Sequence, residues 1–180
     1  MLAGIMAKTL LLLWAAVLIF VSAMVGQEQA PVVAPAPIPA QINTAKKAFI
    51  SNSGADVASR AIFKRAGDPE QAYDRFYAEM KSWGRYEIVS TPSDADLVFE
   101  IRFAAPMYMN GTLPIYQPQF GLNIVDAKTH FLLWNLNAPV EGAFREKTWT
   151  KNFEHGLSAL MDDLKKIATP AAANTAPATK

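Results

Sequence analysis

The chain is 180 residues long, 51% hydrophobic, 18% charged and 11% aromatic, an ordinary composition for a globular protein with one domain. Seventeen Lys and Arg against sixteen Asp and Glu leave a formal charge of +1, which excludes a broad nucleic-acid footprint and an acidic-tail protein. The chain has no cysteine, so disulfides, thiolate metal sites, Cys nucleophiles and a lipid-modified N-terminal Cys are excluded, and its two histidines, His130 and His155, leave little for metal or general-base chemistry.

Lys8 and Thr9 precede an apolar run from Leu10 to Val21, and the small residues Ser22, Ala23 and Gly26 come before the polar Gln27, Glu28 and Gln29. This is the layout of a secretory signal peptide over residues 1–26, with cleavage expected after Ala23 or Gly26. The rival is an uncleaved inner-membrane anchor over residues 9–25. Its apolar stretch, Leu10 to Val25 with Ser22 inside it, falls short of the ~20 residues that cross a bilayer comfortably, so export to the periplasm or beyond is the expectation. Cleavage removes Lys8 alone among the charged residues and leaves a net charge of zero. Without cysteines in an oxidising space, packing must hold the fold.

Residues 27–45 form a Pro/Ala-rich linker in which Pro31, Pro35, Pro37 and Pro39 favour an extended spacer. Residues 169–180, with Pro170 and Pro177, predict a disordered Ala/Pro/Thr tail. Between them, residues 46–168 have the common size of one domain with a real core.

In chain order, Lys47 to Ser51 predicts a first strand closed by a turn at Asn52, Ser53 and Gly54. A weak helical pattern follows from Asp56 to Ala66. A stronger helix opens at Asp68 and Pro69, carries Ala72, Tyr73, Phe76, Tyr77, Met80 and Trp83 at three-to-four spacing, and stops at Gly84. Tyr86 to Ser90 predicts a strand. Asp96 to Phe103 predicts the clearest one, because Leu97, Phe99, Ile101 and Phe103 alternate with Val98, Glu100 and Arg102. Ala104 to Pro118, with Pro106, Gly111, Pro114 and Pro118, predicts a long connection that is not regular throughout. Phe120 to Val125 and His130 to Leu136 flank a polar turn as a hairpin. The last helix is expected over Asn152 to Ile167, with Phe153, Leu157, Leu160, Met161, Leu164 and Ile167 as its buried stripe and Lys165 and Lys166 near its C-terminal end. These elements predict an α/β (α+β) fold, a mixed, largely antiparallel sheet of about five strands with two to three helices packed on it.

The strings SDADLVFEIRF and FGLNIVDAKTHFLLWNL, followed by an amphipathic helix, are similar to small uncharacterised secreted bacterial proteins. More distantly they resemble the α/β domain shared by the N-terminal part of TolB, the curli secretion factor CsgG and the lipoprotein LpoB. In that group an Ala-Asp pair opens a strand, here Ala95 and Asp96, and a hairpin turn carries an aspartate, here Asp126. The resemblance spans residues 46–168 and implies a fold and an envelope setting. Against that group's pattern, no lipobox Cys, no β-propeller after the domain and no pore-forming hairpin is expected from this sequence. It implies no catalytic or binding residue.

Candidate chemistry is sparse. Asp94 and Asp96 have the spacing of an Asp-x-Asp cation site, but without further ligands the stronger reading is a turn aspartate and a strand opener. Glu154 and His155 are adjacent on a helix and point about 100° apart, so they cannot make the i, i+4 pair of a zinc helix. His130 is expected on the surface after a turn. Ser51 and Ser53 lie near Gly54 after a strand, but lack the preceding glycine of a nucleophile elbow and an assigned histidine. Lys81, Trp83, Arg85 and Tyr86 interleave bases and aromatics, a pattern better explained in a neutral exported protein by Trp83 closing a helix and Arg85 making a cation–π contact. Asn110, Gly111 and Thr112 match a glycosylation sequon and are more simply a turn. Lys64 and Arg65 have the position of helix C-terminal charges.

One segment stands out. Met107, Tyr108, Met109, Leu113, Ile115, Tyr116 and Phe120 concentrate Met and aromatic groups in a proline-restricted stretch. The favoured role is cover for a sheet edge or the open side of the core. The functional role is an interaction surface, centred on Met107, Tyr108, Met109, Ile115 and Tyr116. The expected function is that of an exported, non-enzymatic envelope protein that binds another envelope protein. No cofactor, metal site, catalytic residue or nucleic-acid partner is expected, and membrane contact is expected only through an uncleaved N-terminal segment. The alternative is a periplasmic small-molecule or glycan carrier that uses Trp83, Tyr108, Tyr116 and Trp149 as stacking surfaces.

Overall fold

The alternation of Leu97, Phe99, Ile101 and Phe103 builds the centre of the sheet, because a period of two sends all four side chains to one face. The computed structural model describes residues 36–56 and 71–169, and the unit they form begins at Ile38. The stretches expected as signal peptide (1–26), linker up to residue 35 and tail from residue 170, the expected helix start at Asp68 and Pro69, and the weak helical pattern from Asp56 to Ala66 beyond its first residue lie outside the described residues.

The elements run α1 (Ala40–Thr44), β1 (Lys47–Ala55), α2 (Gln71–Trp83), β2 (Glu87–Ile88), a 3₁₀ turn (Pro92–Asp94), β3 (Leu97–Ala104), β4 (Met107–Asn110), β5 (Leu113–Tyr116), β6 (Gln119–Asp126), β7 (Leu132–Pro139) and α3 (Glu146–Ala168). Five strands form one sheet in the order β2-β1-β3-β6-β7, and β4 and β5 form a separate two-stranded sheet. β1 is parallel to β2 and β3, whereas β3, β6 and β7 are antiparallel. The fold is therefore α+β, with a mixed, largely antiparallel sheet of five strands and helices packed on it.

The two longer helices close one face. Leu97, Phe99, Ile101 and Phe103 of β3 meet Phe120, Leu122 and Ile124 of β6, with Ala48 and Ile50 of β1 beside them, and all are buried. Over them α2 lays Ala72, Phe76 and Met80, and α3 lays Trp149, Phe153, Leu157, Leu160, Met161 and Leu164. Full burial of each large apolar side chain is worth roughly 1.5–3 kcal/mol, so this contact outweighs any intrinsic helix propensity. Aromatic rings concentrate at one end of it. Phe103 lies 5.1 Å from Phe120, 5.4 Å from Phe153 and 6.3 Å from Trp149 between ring centroids, and Phe120 lies 4.7 Å from Phe153. Arg75 of α2 and Glu154 of α3 form an ion pair across the helix layer.

Several elements differ from the sequence expectation. β1 continues past Ser51 to Ala55, absorbing the expected turn as a register slip between Asn52 and Ala55, where Gly54 takes a φ of +73°. β2 is two residues, Glu87–Ile88, not Tyr86 to Ser90, and its hydrogen bonds to β1 end with the Val89 N–H on the Ala48 carbonyl at 2.9 Å. α3 starts at Glu146 rather than Asn152, so Trp149 belongs to its buried stripe. α1 lies in the stretch that composition predicts as linker, and its Ile42 is fully buried, so the packed unit begins before residue 46. The Ala104 to Pro118 connection holds the β4–β5 hairpin.

Gly156 marks the closest approach of α3 to the sheet. A Cβ there would stand 2.7 Å from Val140 Cγ2, 3.2 Å from the Pro139 carbonyl oxygen and 3.3 Å from Phe120 Cε2. In an open helix Gly→Ala gains about 1 kcal/mol. Here we expect Gly156→Ala to lower unfolding free energy by about 1–2 kcal/mol, the range for overpacking, as read by urea denaturation. A more stable variant would show that Val140 gives way.

Candidate functional site

The β4–β5 hairpin is a continuation of the β3–β6 ladder in unbroken register. Pairing runs from Leu97 opposite Asp126 to Ala104 opposite Gln119, and resumes from Met107 opposite Tyr116 to Asn110 opposite Leu113. The Gln117 N–H donates to the Pro106 carbonyl at 3.1 Å and bridges the gap. Pro106 and Pro118 interrupt the ladder there, since neither supplies an N–H. The flanking strands end at this level: the last β1 pairing is Ala55 with Phe103, and the last β7 pairing is Pro139 with Gln119. The hairpin therefore projects past the five-stranded sheet as an arm of about 13 Å, from ~3.3 Å per strand residue.

All eight strand residues of the arm are exposed. By register, Met107, Met109, Pro114 and Tyr116 share one face, and Tyr108, Asn110, Leu113 and Ile115 share the other. Both faces are therefore apolar: Met109 is 60% and Leu113 69% exposed, and Met107, Tyr108, Ile115 and Tyr116 each keep more than two-fifths of their surface in solvent. No charged residue occurs between Arg102 and Asp126. Asn110, Gly111 and Thr112 form the tip, where Gly111 takes a φ of +63°, so the sequon is a turn as expected. Pro114 is tolerated because, among the described residues, β5 pairs on one side only. The five candidate residues thus stand together on one element, but as exposed strand, and the favoured role as cover for the core is not what the fold shows. Phe120 is the exception, buried in β6.

The proposed stacking aromatics do not form one surface. Tyr108 and Tyr116 are on the arm, whereas Trp149 is buried against Phe103. Trp83 packs edge-on against Tyr86 at 5.7 Å, at the opposite end of the sheet. There the base-and-aromatic cluster acts as a clamp on α1. The Tyr86 hydroxyl donates to the Ile42 carbonyl at 2.8 Å, and the Arg85 guanidinium donates to the carbonyls of Ala45 and Asn43 while lying 4.8 Å over the Tyr86 ring. Burial raises the Tyr86 pKa, and Arg85 partly opposes it.

Asp96 completes the same junction. Its carboxylate accepts the backbone N–H groups of Lys47 and Lys46 at 3.0 and 2.9 Å, which hold its pKa below the usual carboxylate value. Asp94 sits apart in the 3₁₀ turn, and among the described residues no group of three or more His, Asp and Glu side chains is placed to hold a metal. Asp126 organises the β6–β7 turn by accepting the Thr129 and Lys128 N–H groups at 2.7 and 2.9 Å and the Thr129 hydroxyl at 3.0 Å, and its pKa is lowered for that reason. Ser51 lies in β1 opposite Glu100, whereas His130 is in that turn with a φ of +61° and His155 is on α3.

A cleft of about 600 Å³ escaped the sequence reading. Phe49, Ile50, Tyr73, Asp74, Tyr77, Ile88, Val89 and Ser90 line it. Tyr73 and Tyr77 fit the core periodicity of α2, yet they are half-buried, their rings 6.2 Å apart. The only sequence signal was their hydroxyls on an otherwise apolar stripe. Among the described residues, no helix is long and apolar enough to cross a membrane.

No protein-family model matches the chain, and no curated protein matches it. Among solved structures, similarity is to small bacterial proteins at low identity. A neuraminyllactose-binding hemagglutinin homolog from Helicobacter pylori is 10% identical with a TM-score of 0.44, over 76% of this chain and 92% of that one. PelC from Paraburkholderia phytofirmans is 14% identical with a TM-score of 0.44, over 73% and 94%. The lipoprotein GNA1162 from Neisseria meningitidis is 12% identical with a TM-score of 0.35, over 65% and 99%. The likeness is a distant one to small bacterial envelope and lipoprotein folds as a group, not specifically to TolB, CsgG or LpoB.

Asp96 generates a pH prediction. Because its folded pKa is depressed, its contribution is complete above the unfolded carboxylate pKa and is lost as pH falls through the folded value. Asp96→Asn is expected to cost about 1 kcal/mol at pH 7, the low end for charge-assisted hydrogen bonds at a solvated site. The gap to wild type should narrow below about pH 4, the unfolded carboxylate range. Thermal melts of both proteins from pH 7 to pH 2.5 check this, and a constant gap across that range would refute it.

Proposed function

We propose that this is an exported envelope protein that binds another protein through the β4–β5 arm. One observation carries the reading: an uncharged, two-stranded arm stands clear of the sheet with apolar side chains on both faces. An isolated hairpin is marginally stable in water, and contiguous exposed apolar surface marks a site that something covers. Met and aromatic side chains are the groups enriched at interface cores. Continuity with β3 and β6 holds the arm in its strand geometry beforehand, which reduces the ordering cost of docking.

A lipid bilayer suits the arm less well. Among the described residues β4 and β5 pair only with each other, so their outer edges would carry unpaired backbone groups into hydrocarbon, and the Asn110-Gly111-Thr112 tip is polar. With no charge on the arm, recognition rests on burial and edge hydrogen bonds, and affinity should depend weakly on salt.

A second reading is favoured by the Tyr73–Tyr77 cleft, whose two rings, Asp74 carboxylate and Ser90 hydroxyl suit a small polar ligand or glycan. A thermal-shift screen separates the two, because a ligand at 100 times its Kd stabilises by about 2.7 kcal/mol.

A photo-reactive residue at Tyr116 or Leu113 is expected to give a specific protein adduct in the native envelope, whereas one at Lys128, at the far end of the sheet, gives none. Met109→Asp together with Leu113→Asp should abolish the Tyr116 adduct while changing unfolding free energy by less than about 0.5 kcal/mol, the range for exposed substitutions. Adducts at Lys128 equal to those at Tyr116, or none at either arm position, would overturn the reading.

A further inference from the structure

The two edges of the main sheet are unlike. β2 closes one edge with only two residues, Glu87 and Ile88, and Pro92 follows shortly after. β7 forms the other edge with eight residues, pairs with β6 on one side, and has no strand on its outer side among the described residues. A long edge in a soluble protein is normally blunted by lysine or another charge. Leu132 to Pro139 contains none. It is limited instead at its ends, by a register slip where Val125 pairs with Leu132 and Ile124 with Trp134, and by Pro139. Between those limits lies one regular stretch, Trp134 to Ala138.

That stretch is self-complementary about its centre. An antiparallel pair of identical strands related by a two-fold axis through Leu136 sets Leu136 opposite Leu136, Asn135 opposite Asn137 and Trp134 opposite Ala138 of the second copy. Each match is one of shape or hydrogen bonding: leucine on leucine, carboxamide on carboxamide, and a large ring beside a small methyl. Trp134 and Leu136 lie on the helix-covered face, paired with the buried Ile124 and Leu122, yet are themselves only half-buried. On the open face a row of side-chain hydrogen bonds already runs outward to this edge. Asn123 donates to the Glu100 carboxylate at 3.3 Å, Asn135 to Asn123 at 2.7 Å, and Asn137 to Asn135 at 2.6 Å. The same row would cross into a second copy.

We propose that β7 is a self-association edge, where a second copy of this chain pairs antiparallel about Leu136 and extends the five strands into a continuous ten-stranded sheet. The site is separate from the arm, so the two readings stand or fall independently.

The test uses the full chain, which has no native cysteine. Leu136→Cys is expected to form a disulfide with its own copy under mild oxidation, because opposed residues of an antiparallel pair have Cα atoms about 4.5–5.5 Å apart, within disulfide reach. Glu87→Cys at the blunt edge and Met109→Cys on the arm should stay single. In sedimentation equilibrium, wild type should approach the mass of two chains as concentration rises. Asn135→Lys with Asn137→Lys sets like charges against each other and should return the mass of one chain. Asn135→Glu with Asn137→Lys sets opposite charges across the same pairs and should restore two. A wild type that stays at one chain with no Leu136→Cys cross-link overturns the proposal. So does a cross-link formed by Met109→Cys and not by Leu136→Cys, which would move self-association to the arm. If the opposite-charge variant fails to restore association, the alignment about Leu136 is wrong and the edge takes another strand.

Discussion

Eight antiparallel pairs between β3 and β6 hold the middle of the sheet, and every other element is placed against them. β1 lies parallel along one side of this ladder and β7 antiparallel along the other, while α2 and α3 cover the face that bears Phe99, Phe103 and Phe120. The same ladder, carried past its flanking strands, becomes the arm. Core and arm therefore share one register, and a one-residue slip would turn the core side chains of the sheet toward solvent. Phe103 and Phe120, locked with Trp149 and Phe153, oppose each other just before the prolines and pin the base of the arm.

Polar groups do different work at the two ends. At the far end, Asp96, Arg85 and Tyr86 satisfy backbone groups of residues 42–47, where the chain passes from α1 into β1. At the arm end the Asp56 carboxylate accepts the Ala105 N–H at 3.1 Å, and beyond it the exposed surface is mainly Met, Leu, Ile and Tyr, joined by a fully exposed Phe144 before α3. On the open face between them, Gly121 leaves room for Arg102 to lie across the strand, since a Cβ there would stand 2.8 Å from the guanidinium Nε. The open face of the sheet is thus polar in its middle, and the arm beyond its end is apolar.

The elements legible in the sequence are those whose burial imposes a clean period. β3 alternates, α2 repeats Ala72, Phe76 and Met80, and α3 repeats Phe153, Leu157, Leu160 and Leu164, so their placement followed from periodicity. The arm was illegible because both of its faces are apolar, which removes alternation, and because its prolines resemble loop punctuation. Its residues were identifiable by composition, but their exposure was not, because core cover and interface have the same composition. The first turns of α3 were missed since Glu146, Lys147, Thr150 and Lys151 are polar, and Trp149 alone does not make a stripe. α1 was hidden by its Pro/Ala surroundings, with Ile42 as a single apolar signal. The Tyr73–Tyr77 cleft depends on where the loop after β2 lies relative to α2, which no local pattern encodes.

The short α1 and the end of α3 lie together at the sheet end where Asp96 and Asp126 sit, with the Asn43 carboxamide, near the close of α1, within hydrogen-bonding distance of the Ile167 and Ala168 carbonyls. Entry and exit of the described unit are thus at one pole, with the arm at the other. Such a layout suits circular permutation, because a short graft can join neighbouring ends without crossing the core. New termini opened between Gly111 and Thr112 would leave the β3–β6 pairing intact and turn the arm into two free strand ends. The fold could then be kept while its projecting element is dismantled, which separates what the ladder contributes to folding from what its extension presents to a partner.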